Sequence, residues 1–250
     1  MKQETEHVKE KETENKKIGF FKQIIEDFKS IREHDPAMKS GIEVFFSYPG
    51  FWAIINYRIA NRFYKFGLHT LARFVMGISQ IITNIDIHPN ATIGRRVFID
   101  HGIGVVIGET AILENDILIY QGVTLGGVSL DKGKRHPTVR SGVVIGAGAK
   151  VLGNIEIGEN SKIGANSVVV RDVPKESTAI GIPAKILPRG RNKNPLEHNK
   201  IPDIDKELFR YLVKRVAILE HILMQDHKEL IEQDLELDTI YQTFIDSIKN

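Results

Sequence analysis

The chain has 250 residues, of which 42% are hydrophobic and 26% are charged, and its formal net charge is +2. This length suits one domain with appendages or two small domains, and the hydrophobic content is enough for a real core. The balanced charge argues against a nucleic-acid partner, and the absence of cysteine excludes disulfides, thiolate metal sites and a cysteine nucleophile. A chain without cysteine also fits a reducing compartment, so we expect a cytoplasmic protein.

The N-terminal region is predicted to be a charged lead followed by a helical domain. Residues 1–17 contain five Lys and five Glu, a composition typical of a solvated, disordered segment and unlike a secretory signal peptide. The helical domain, over residues 18–85, starts with apolar residues at three- and four-residue spacing: Ile18, Phe21, Ile24, Ile25, Phe28 and Ile31. Asp35-Pro36 has the pattern of an N-cap followed by proline at the first helical position, which predicts the start of a second helix.

Two more helical segments follow in this domain. Tyr48-Pro49-Gly50 interrupts the pattern, and another helix is predicted from Phe51 to about Lys65. The apolar stretch 66–85 contains His69 and Arg73, which indicates a packed helix rather than a membrane span. We therefore expect no membrane association.

A six-residue repeat of branched aliphatic residues fills the middle of the chain. Its members are Ile87, Ile93, Ile99, Ile107, Leu113, Ile119, Leu125, Val139, Ile145, Val151, Ile157, Ile163 and Val169. A period of six fits neither an amphipathic helix nor an alternating strand, and it is the signature of a hexapeptide β-helix, in which three hexads make one triangular coil. We predict an α+β fold: a left-handed parallel β-helix over residues 86–187, with an N-terminal helical domain and a C-terminal helical extension.

Small residues complete each predicted coil. Four residues after most periodic aliphatics comes a second, usually small residue, such as Ala91, Ala111 or Ala149, which faces the same interior. Five glycines directly follow an aliphatic and suit corners where the backbone turns tightly or takes positive φ: Gly94, Gly108, Gly146, Gly158 and Gly164.

Two breaks in the repeat mark the expected binding site, because insertions in a solenoid loop out on one face. Between residues 99 and 107 the step is eight residues, and the extra ones lie in Asp100-His101-Gly102-Ile103-Gly104. Between residues 125 and 139 the step is fourteen residues, two beyond a double step, and it contains His136. A lone histidine is more often structural, but two histidines at the defects of a strict repeat favour a catalytic site.

The residues around these breaks resemble the serine O-acetyltransferase family of hexapeptide acyltransferases. The resemblance extends from about Asp35 to Lys185 and rests on these motifs: Asp86-Ile87-His88-Pro89, Ile99-Asp100-His101, Val106-Ile107-Gly108-Glu109-Thr110-Ala111, Gly122-Val123-Thr124-Leu125-Gly126-Gly127, Arg135-His136-Pro137 and Ile145-Gly146-Ala147-Gly148-Ala149-Lys150-Val151-Leu152-Gly153-Asn154. It implies transfer of an acetyl group from acetyl-CoA to the hydroxyl of L-serine, giving O-acetylserine for cysteine biosynthesis.

This chemistry needs a base, because a hydroxyl is a weak nucleophile at neutral pH. Histidine suits the task, and a carboxylate bonded to its other ring nitrogen fixes the tautomer and stabilises the imidazolium. The resemblance assigns His101 as the base and Asp86 as its orienter. The chain has neither cysteine nor a G-x-S-x-G motif, so we expect direct transfer without an acyl-enzyme.

The resemblance also assigns the groups that hold serine. Arg135 offers a planar fork to the carboxylate, and Asp35 and Asp100 meet the ammonium. His136 pairs with the carboxylate or polarises the reacting oxygen. From the pattern alone, Asp35 is only a helix cap, Arg135 an exposed loop charge and Asp100 a corner residue.

A groove for acetyl-CoA is predicted along one corner. Ala147 and Ala165 are eighteen residues apart, so they stack in successive coils and leave room. In the family the pantetheine arm lies in such a groove between subunits, near the residues matching Gly127, Ala147 and Ala165, and Lys150 and Lys185 are candidate phosphate partners. The resemblance therefore implies a homo-oligomer, a trimer or a hexamer, with cysteine as a feedback inhibitor.

The C-terminal region departs from the family. Residues 188–202 are predicted as a linker, and residues 203–250 as helices that cover the solenoid end or form a bundle between subunits. The first helix carries the stripe Leu208, Leu212, Val216, Leu219 and Leu223, and a second begins at Asp238. Many relatives end in a flexible tail with a terminal isoleucine that docks into O-acetylserine sulfhydrylase. This chain ends Ile248-Lys249-Asn250, so the resemblance does not extend that complex to it.

Four alternatives compete with this interpretation. An acetyltransferase of sugars or polysaccharides would not need the opposite charges of Asp35 and Arg135. Homoserine differs from serine by one methylene, which is worth only about 1–3 kcal/mol of discrimination. A zinc lyase of the γ-carbonic-anhydrase type would use His88, His101 and His136, but its short His-x4-His spacing is missing from the solenoid, so we expect no metal. A non-catalytic scaffold would leave both histidine breaks unexplained.

Overall fold

A computed structural model of the chain describes residues 19–36, 38–188, 209–217 and 219. They fall in two compact units, one within Met1–His198 and the other within Asn199–Asn250. The predicted lead, the linker after residue 188 and the second C-terminal helix lie outside the described residues.

In the first unit the described residues form four helices: α1 (Phe20–His34), α2 (Glu43–Ser47), α3 (Pro49–Lys65) and α4 (His69–Thr83). The prediction that Asp35 opens a helix is wrong. Asp35 is the C-cap of α1, because its N–H donates to the carbonyl of Ile31 (2.9 Å). Pro49 begins α3 rather than interrupting a helix, since proline at the first helical position loses no intrahelical hydrogen bond.

Helix α4 accounts for the apolar stretch before the repeat. Ala72 and Met76 on its buried face join the main core together with Tyr57 and Ala60 of α3. Its opposite face remains exposed, as Phe74 illustrates with 65% of its surface accessible. Among the described helices, none combines the length and the apolar character that a membrane span requires.

Short strands follow, numbered here in chain order: β1 (Asp86–Ile87), β2 (Thr92–Ile93), β3 (Phe98–Ile99), β4 (Val106–Ile107), β5 (Ile112–Leu113), β6 (Leu118–Ile119), β7 (Thr124–Gly126), β8 (Thr138–Val139), β9 (Val144–Ile145), β10 (Lys150–Leu152), β11 (Glu156–Ile157), β12 (Lys162–Ile163), β13 (Val168–Val169), β14 (Ser177–Gly181) and β15 (Ala184–Pro188). From β1 to β13, successive strands join the three sheets in turn, and β14 and β15 extend the third. Sheet A has the order β1-β4-β7-β10-β13, sheet B β11-β8-β5-β2, and sheet C β15-β14-β12-β9-β6-β3. All pairs are parallel except β14 with β15, so the chain winds as a three-sided β-helix.

The periodic aliphatic residues form the interior, as predicted. In sheet A, Ile87 lies in register with Ile107, which lies in register with Leu125. All thirteen periodic side chains are buried. Burial of each stabilises the fold by about 1.5–3 kcal/mol, so the repeat supplies the main core.

The corner glycines are required by close packing rather than by positive φ. None of the five predicted corner glycines has positive φ, so that part of the prediction is wrong. A Cβ on Gly146 would lie 2.7 Å from the backbone nitrogen of Ala165 in the next coil. A Cβ on Gly108 would overlap the ring of His136. Side chains are therefore excluded where neighbouring coils or loops touch the corner.

The second break is a larger insertion than the spacing predicted. Strand β7 of sheet A leads directly to β8 of sheet B, so no hexad is skipped. Thr124 pairs with Lys150, 26 residues later, whereas Val106 pairs with Thr124, 18 residues later. The loop between β7 and β8 therefore inserts eight residues, rather than two beyond a double step.

In the second unit, residues 209–217 and 219 are helical, in agreement with the first predicted C-terminal helix. Its stripe is half exposed within the described residues, with relative accessibilities of 48% for Leu212, 50% for Val216 and 51% for Leu219.

Candidate active site

The first break gathers Asp35, Asp100 and His101 at the corner between sheets C and A. His101 has φ +58°, in the left-handed region that few non-glycine residues adopt. Its ring is 72% exposed, and Nε2 lies 3.9 Å from Oδ2 of Asp100. Asp35 accepts a hydrogen bond from the hydroxyl of Tyr48. The corner therefore combines a solvent-facing imidazole with two carboxylates.

The charge of Asp35 acts on the Asp100 carboxylate. Burial raises the pKa of Asp100, the charge of His101 opposes that rise, and the charge of Asp35 adds to it. Burial also raises the pKa of Tyr48 and of Tyr120, and both tyrosines feel Asp35 and Asp100 as well. An ammonium group placed here would relieve this like-charge repulsion, so the corner suits a cationic ligand group.

Asp86 begins β1, on the sheet A side of the same corner. Its N–H donates to the carbonyl of Val105 (2.9 Å), and the N–H of Gly104 donates to Asn84 (2.8 Å), which holds the insertion against β1. In this part of the described chain, no hydrogen bond or ion pair joins Asp86 to His101. The orienting role of Asp86 therefore stays a prediction.

The corner continues along the solenoid below His101. Gln121, Ala147 and Ala165 occupy the matching position in the following coils, each two residues after a periodic aliphatic. The N–H of Gly148 donates to Gln121, and that of Asn166 to Ala147, both at 2.8 Å. The predicted stacking of Ala147 and Ala165 is confirmed. Gln121 was not predicted, although its place in the repeat register could have identified it.

The second break places Arg135 and His136 at a different corner, between sheets A and B. Nη2 of Arg135 donates to Oε2 of Glu109 at 2.5 Å, and this bond lowers the pKa of Glu109. The ring of His136 is buried beside Thr110. A cleft of 410 Å³ adjoins Arg135 and is lined by Glu109, Ser129, Leu130, Asp131 and Lys132. The structure thus divides the predicted serine-binding residues between two corners of the chain.

The other predicted acetyl-CoA contacts divide between the two corners. Gly127 packs against Arg135, where a Cβ would lie 3.1 Å from the carbonyl oxygen. Lys150 follows Ala147 by three residues, and its Nζ donates to the carbonyl of Gly122 (2.5 Å) and to Oγ1 of Thr124 (3.1 Å). Lys185 is exposed on β15, which extends sheet C, the sheet that leads into the corner of Ala147. Of these three residues, Gly127 lies at the other corner.

Within the described residues of one chain, the histidines of the zinc-lyase alternative are not gathered around a metal site. Nδ1 of His88 accepts the N–H of Asn90 (3.0 Å), and the ring packs against Tyr64. Burial lowers the pKa of His88. Within the described residues, no group of three or more His, Asp or Glu side chains is arranged to hold a metal ion.

The sequence interpretation missed two residues that contact the predicted site groups. Tyr48 belongs to the predicted break between helices, yet its hydroxyl donates to Asp35. Thr110 belongs to one of the family motifs and has no predicted role, yet its hydroxyl lies 2.8 Å from Nδ1 of His136. No periodic signal marks either residue, because each contact crosses an irregular turn or loop.

Comparison with known proteins places this architecture in a family. The protein-family model described as bacterial transferase hexapeptide (six repeats) matches residues 136–171 of the sequence. The chain is 50% identical over 201 residues to a serine acetyltransferase of Synechococcus elongatus, covering 80% of this chain and 82% of that protein. It is 47% identical over 216 residues to a serine acetyltransferase of Bacillus subtilis, covering 86% of this chain and 99% of that protein.

Solved structures agree with these relatives. Neisseria gonorrhoeae serine acetyltransferase in complex with serine matches with a TM-score of 0.64 and 47% identity, covering 66% of this chain and 68% of that one. A serine acetyltransferase in complex with cysteine matches with a TM-score of 0.69 and 42% identity, covering 76% of this chain and 73% of that one. The left-handed parallel β-helix is confirmed. The chain belongs to the serine acetyltransferase family.

Proposed function

We propose that this serine acetyltransferase moves the acetyl group of acetyl-CoA directly to the hydroxyl of L-serine, with His101 as the general base. The observation that carries the proposal is the position of His101 in line with Ala147 and Ala165 along one corner. A thioester whose pantetheine arm follows the small residues would end beside the exposed imidazole.

The proposed step balances without a covalent enzyme intermediate. The serine oxygen attacks the thioester carbonyl while His101 takes the hydroxyl proton. The carbon–sulfur bond then breaks, and the proton passes from His101 to the departing thiolate. The products are O-acetylserine and free CoA. Asp86 is proposed to orient the imidazole once substrates are bound, because catalytic hydrogen bonds often tighten only in the complex.

The charges of serine match the two corners. Asp35 and Asp100 suit the ammonium, and the Arg135 guanidinium suits the carboxylate. These groups lie at opposite ends of the strands of sheet A. The distance between the two corners is the length of about six extended residues, or about 20 Å. A single serine is far shorter than that. We therefore propose that His101 of one subunit works with Arg135 and His136 of a neighbour, in a closed trimer or a pair of trimers.

Acetyl-CoA and cysteine are the other two ligands of the proposed site. Acetyl-CoA would follow Ala147 and Ala165, with Lys150 and Lys185 of the same chain beside this groove and Gly127 contributed where subunits meet. Cysteine would compete with serine as a feedback inhibitor, because it presents the same ammonium and carboxylate and replaces only the hydroxyl. A structure with cysteine bound exists for the relative matched above, and the proposed product would feed cysteine biosynthesis.

A thiol-release assay with acetyl-CoA tests the proposal. L-Serine, L-homoserine and simple sugars are offered separately, and mass spectrometry identifies the acetylated product. We expect O-acetylserine as the main product, with serine preferred by kcat/KM. Turnover of homoserine or of a sugar at a higher kcat/KM than that of serine would contradict the proposed substrate.

A further inference from the structure

The hydroxyl of Thr110 connects to both predicted carboxylate-binding residues. Its Oγ1 accepts the backbone N–H of Arg135 at 3.0 Å and the backbone N–H of His136 at 3.2 Å. The same oxygen lies 2.8 Å from Nδ1 of His136. The backbone N–H of Thr110 donates to that Nδ1 at 3.2 Å. One threonine therefore contacts the main chain of the loop and the imidazole ring.

These contacts determine the tautomer of His136. The N–H of Thr110 needs an acceptor at Nδ1, so Nδ1 carries no proton. Both lone pairs of the Thr110 hydroxyl are engaged by backbone N–H groups, so its own hydrogen is directed to Nδ1. A neutral imidazole unprotonated at Nδ1 carries its hydrogen on Nε2. His136 is therefore a hydrogen-bond donor at Nε2.

The Nε2–H group has no hydrogen-bond partner among the described residues. His136 is only 7% exposed. A Cβ on Gly108 would lie 2.1 Å from Nε2 and collide with the ring, and a Cβ on Gly127 would lie 3.3 Å from Nε2. Buried N–H groups nearly always have a partner, so a donor left without one requires an explanation. A substrate oxygen at this position would supply the missing acceptor.

We propose that Thr110 is a positioning residue, which holds His136 as the Nε2–H tautomer so that this ring donates to a substrate oxygen and does not act as a base. The proposal rests on the function proposed above. The two histidines then have different roles. The exposed His101 accepts the proton of the substrate hydroxyl, whereas Nδ1 of His136 cannot accept a proton while it is hydrogen-bonded to Thr110.

The surroundings keep His136 neutral. Burial lowers its pKa, and the charges of Arg135 and Lys134 lower it further, against the opposing charge of Glu109. His88, two coils earlier, also interacts electrostatically with His136. Neutral His136 is thus the form present at pH 7, where Nδ1 remains available to Thr110.

Paired substitutions of Thr110 test the positioning role. Thr110→Val keeps the shape and removes the hydroxyl, whereas Thr110→Ser keeps the hydroxyl. We expect Val to lower kcat/KM for serine by about 30–150-fold, as the loss of two or three hydrogen bonds near 1 kcal/mol each would do, and Ser to restore most of it. Equal activity of the folded Val and Ser variants would overturn the proposal.

Nitrogen NMR of the unmodified enzyme, labelled in histidine, gives a readout that needs no substrate. The His136 signals are assigned by their loss in His136→Gln, and at pH 7 they should report the Nε2–H tautomer. An imidazolium or an Nδ1–H ring would overturn the proposal even if Thr110→Val fails to fold. Because this measurement is made on free enzyme, it stands even if serine proves not to be the acceptor.

Amide replacements of His136 separate a donor from a base. The amide nitrogen of Gln reaches the place of Nε2, whereas that of Asn matches Nδ1. We expect His136→Gln to retain more kcat than His136→Asn and to keep the acidic limb of the pH profile, which reports the general base. Loss of that limb in His136→Gln, or higher activity of Asn, would identify His136 as the base and refute the assignment.

Discussion

Ala147 and Ala165 lie one above the other at a corner of the β-helix, joined through the hydrogen bond from the N–H of Asn166 to the carbonyl of Ala147 (2.8 Å). His101 occupies the same corner two coils earlier. The predicted base and the predicted pantetheine groove therefore share one edge of the solenoid. Substitutions of Ala165 and of His101 test the groove and the base separately.

Ala165→Leu should obstruct the groove without disturbing the core, because the side chain of Ala165 is exposed. We expect KM for acetyl-CoA to rise by about tenfold or more, equivalent to about 1.4 kcal/mol, with little change in Tm. Glu159→Leu is the matched control, since Glu159 is also exposed and follows its periodic aliphatic by two residues at another corner of this coil. Equal KM values for the two variants would place acetyl-CoA elsewhere.

His101→Ala should lower kcat by about 10²–10⁴-fold, which is the usual contribution of a positioned base. Steady-state kinetics and circular dichroism check activity and folding. His69→Ala serves as control, because His69 stacks on Tyr64, away from the insertion. Near-normal turnover of His101→Ala would remove this residue from the mechanism. Asp86→Asn should also lower kcat if its carboxylate orients the ring.

Mixing two inactive variants tests whether the site is shared between subunits. If His101 of one subunit works with Arg135 of the next, trimers that contain both His101→Ala and Arg135→Ala include an intact site. Random assembly of equal amounts should restore about one quarter of the wild-type activity, since each site needs one subunit of each kind in the correct order. Unmixed variants are the control, and no recovery in verified mixed trimers argues for a site within one chain.

Arg135→Ala should weaken serine and cysteine binding together, because both ligands present the same carboxylate. Calorimetric titration with each amino acid measures the two affinities. Arg96→Ala is the control, since Arg96 forms an ion pair with Asp116 away from both insertions. Retention of cysteine inhibition alongside lost serine binding would reveal a separate inhibitor site.

Asp100→Asn should raise Tm at pH 7 while raising KM for serine. Burial, with a contribution from Asp35, raises the pKa of Asp100 above its ordinary value of 3.8. Ionisation therefore costs more free energy in the folded than in the unfolded protein, and the free energy of unfolding falls as pH rises through these two pKa values. Asparagine removes this cost, so its advantage should shrink as the pH is lowered toward 3.8. A lower Tm for Asp100→Asn at pH 7 would contradict this reasoning.

The hexapeptide repeat was sufficient to predict the solenoid. Ile87, Ile107 and Leu125 lie in register and are buried together, and the six-residue spacing of the sequence predicts this directly. The stacking of Ala147 on Ala165 follows from the same period. The motifs around His101 and His136 likewise predicted the family, because they are sequence-local.

Only the tertiary structure decided what happens where the period fails. The repeat could not show that the loop before His136 inserts eight residues, since that depends on which sheet the chain re-enters. Asp35 caps the end of α1 and binds Tyr48, a contact that no helical spacing specifies. Thr110 and His136, which are hydrogen-bonded, are 26 residues apart in the sequence and are separated by an irregular loop. A repeat predicts neighbours one coil apart, whereas contacts across insertions depend on the path of the folded loop.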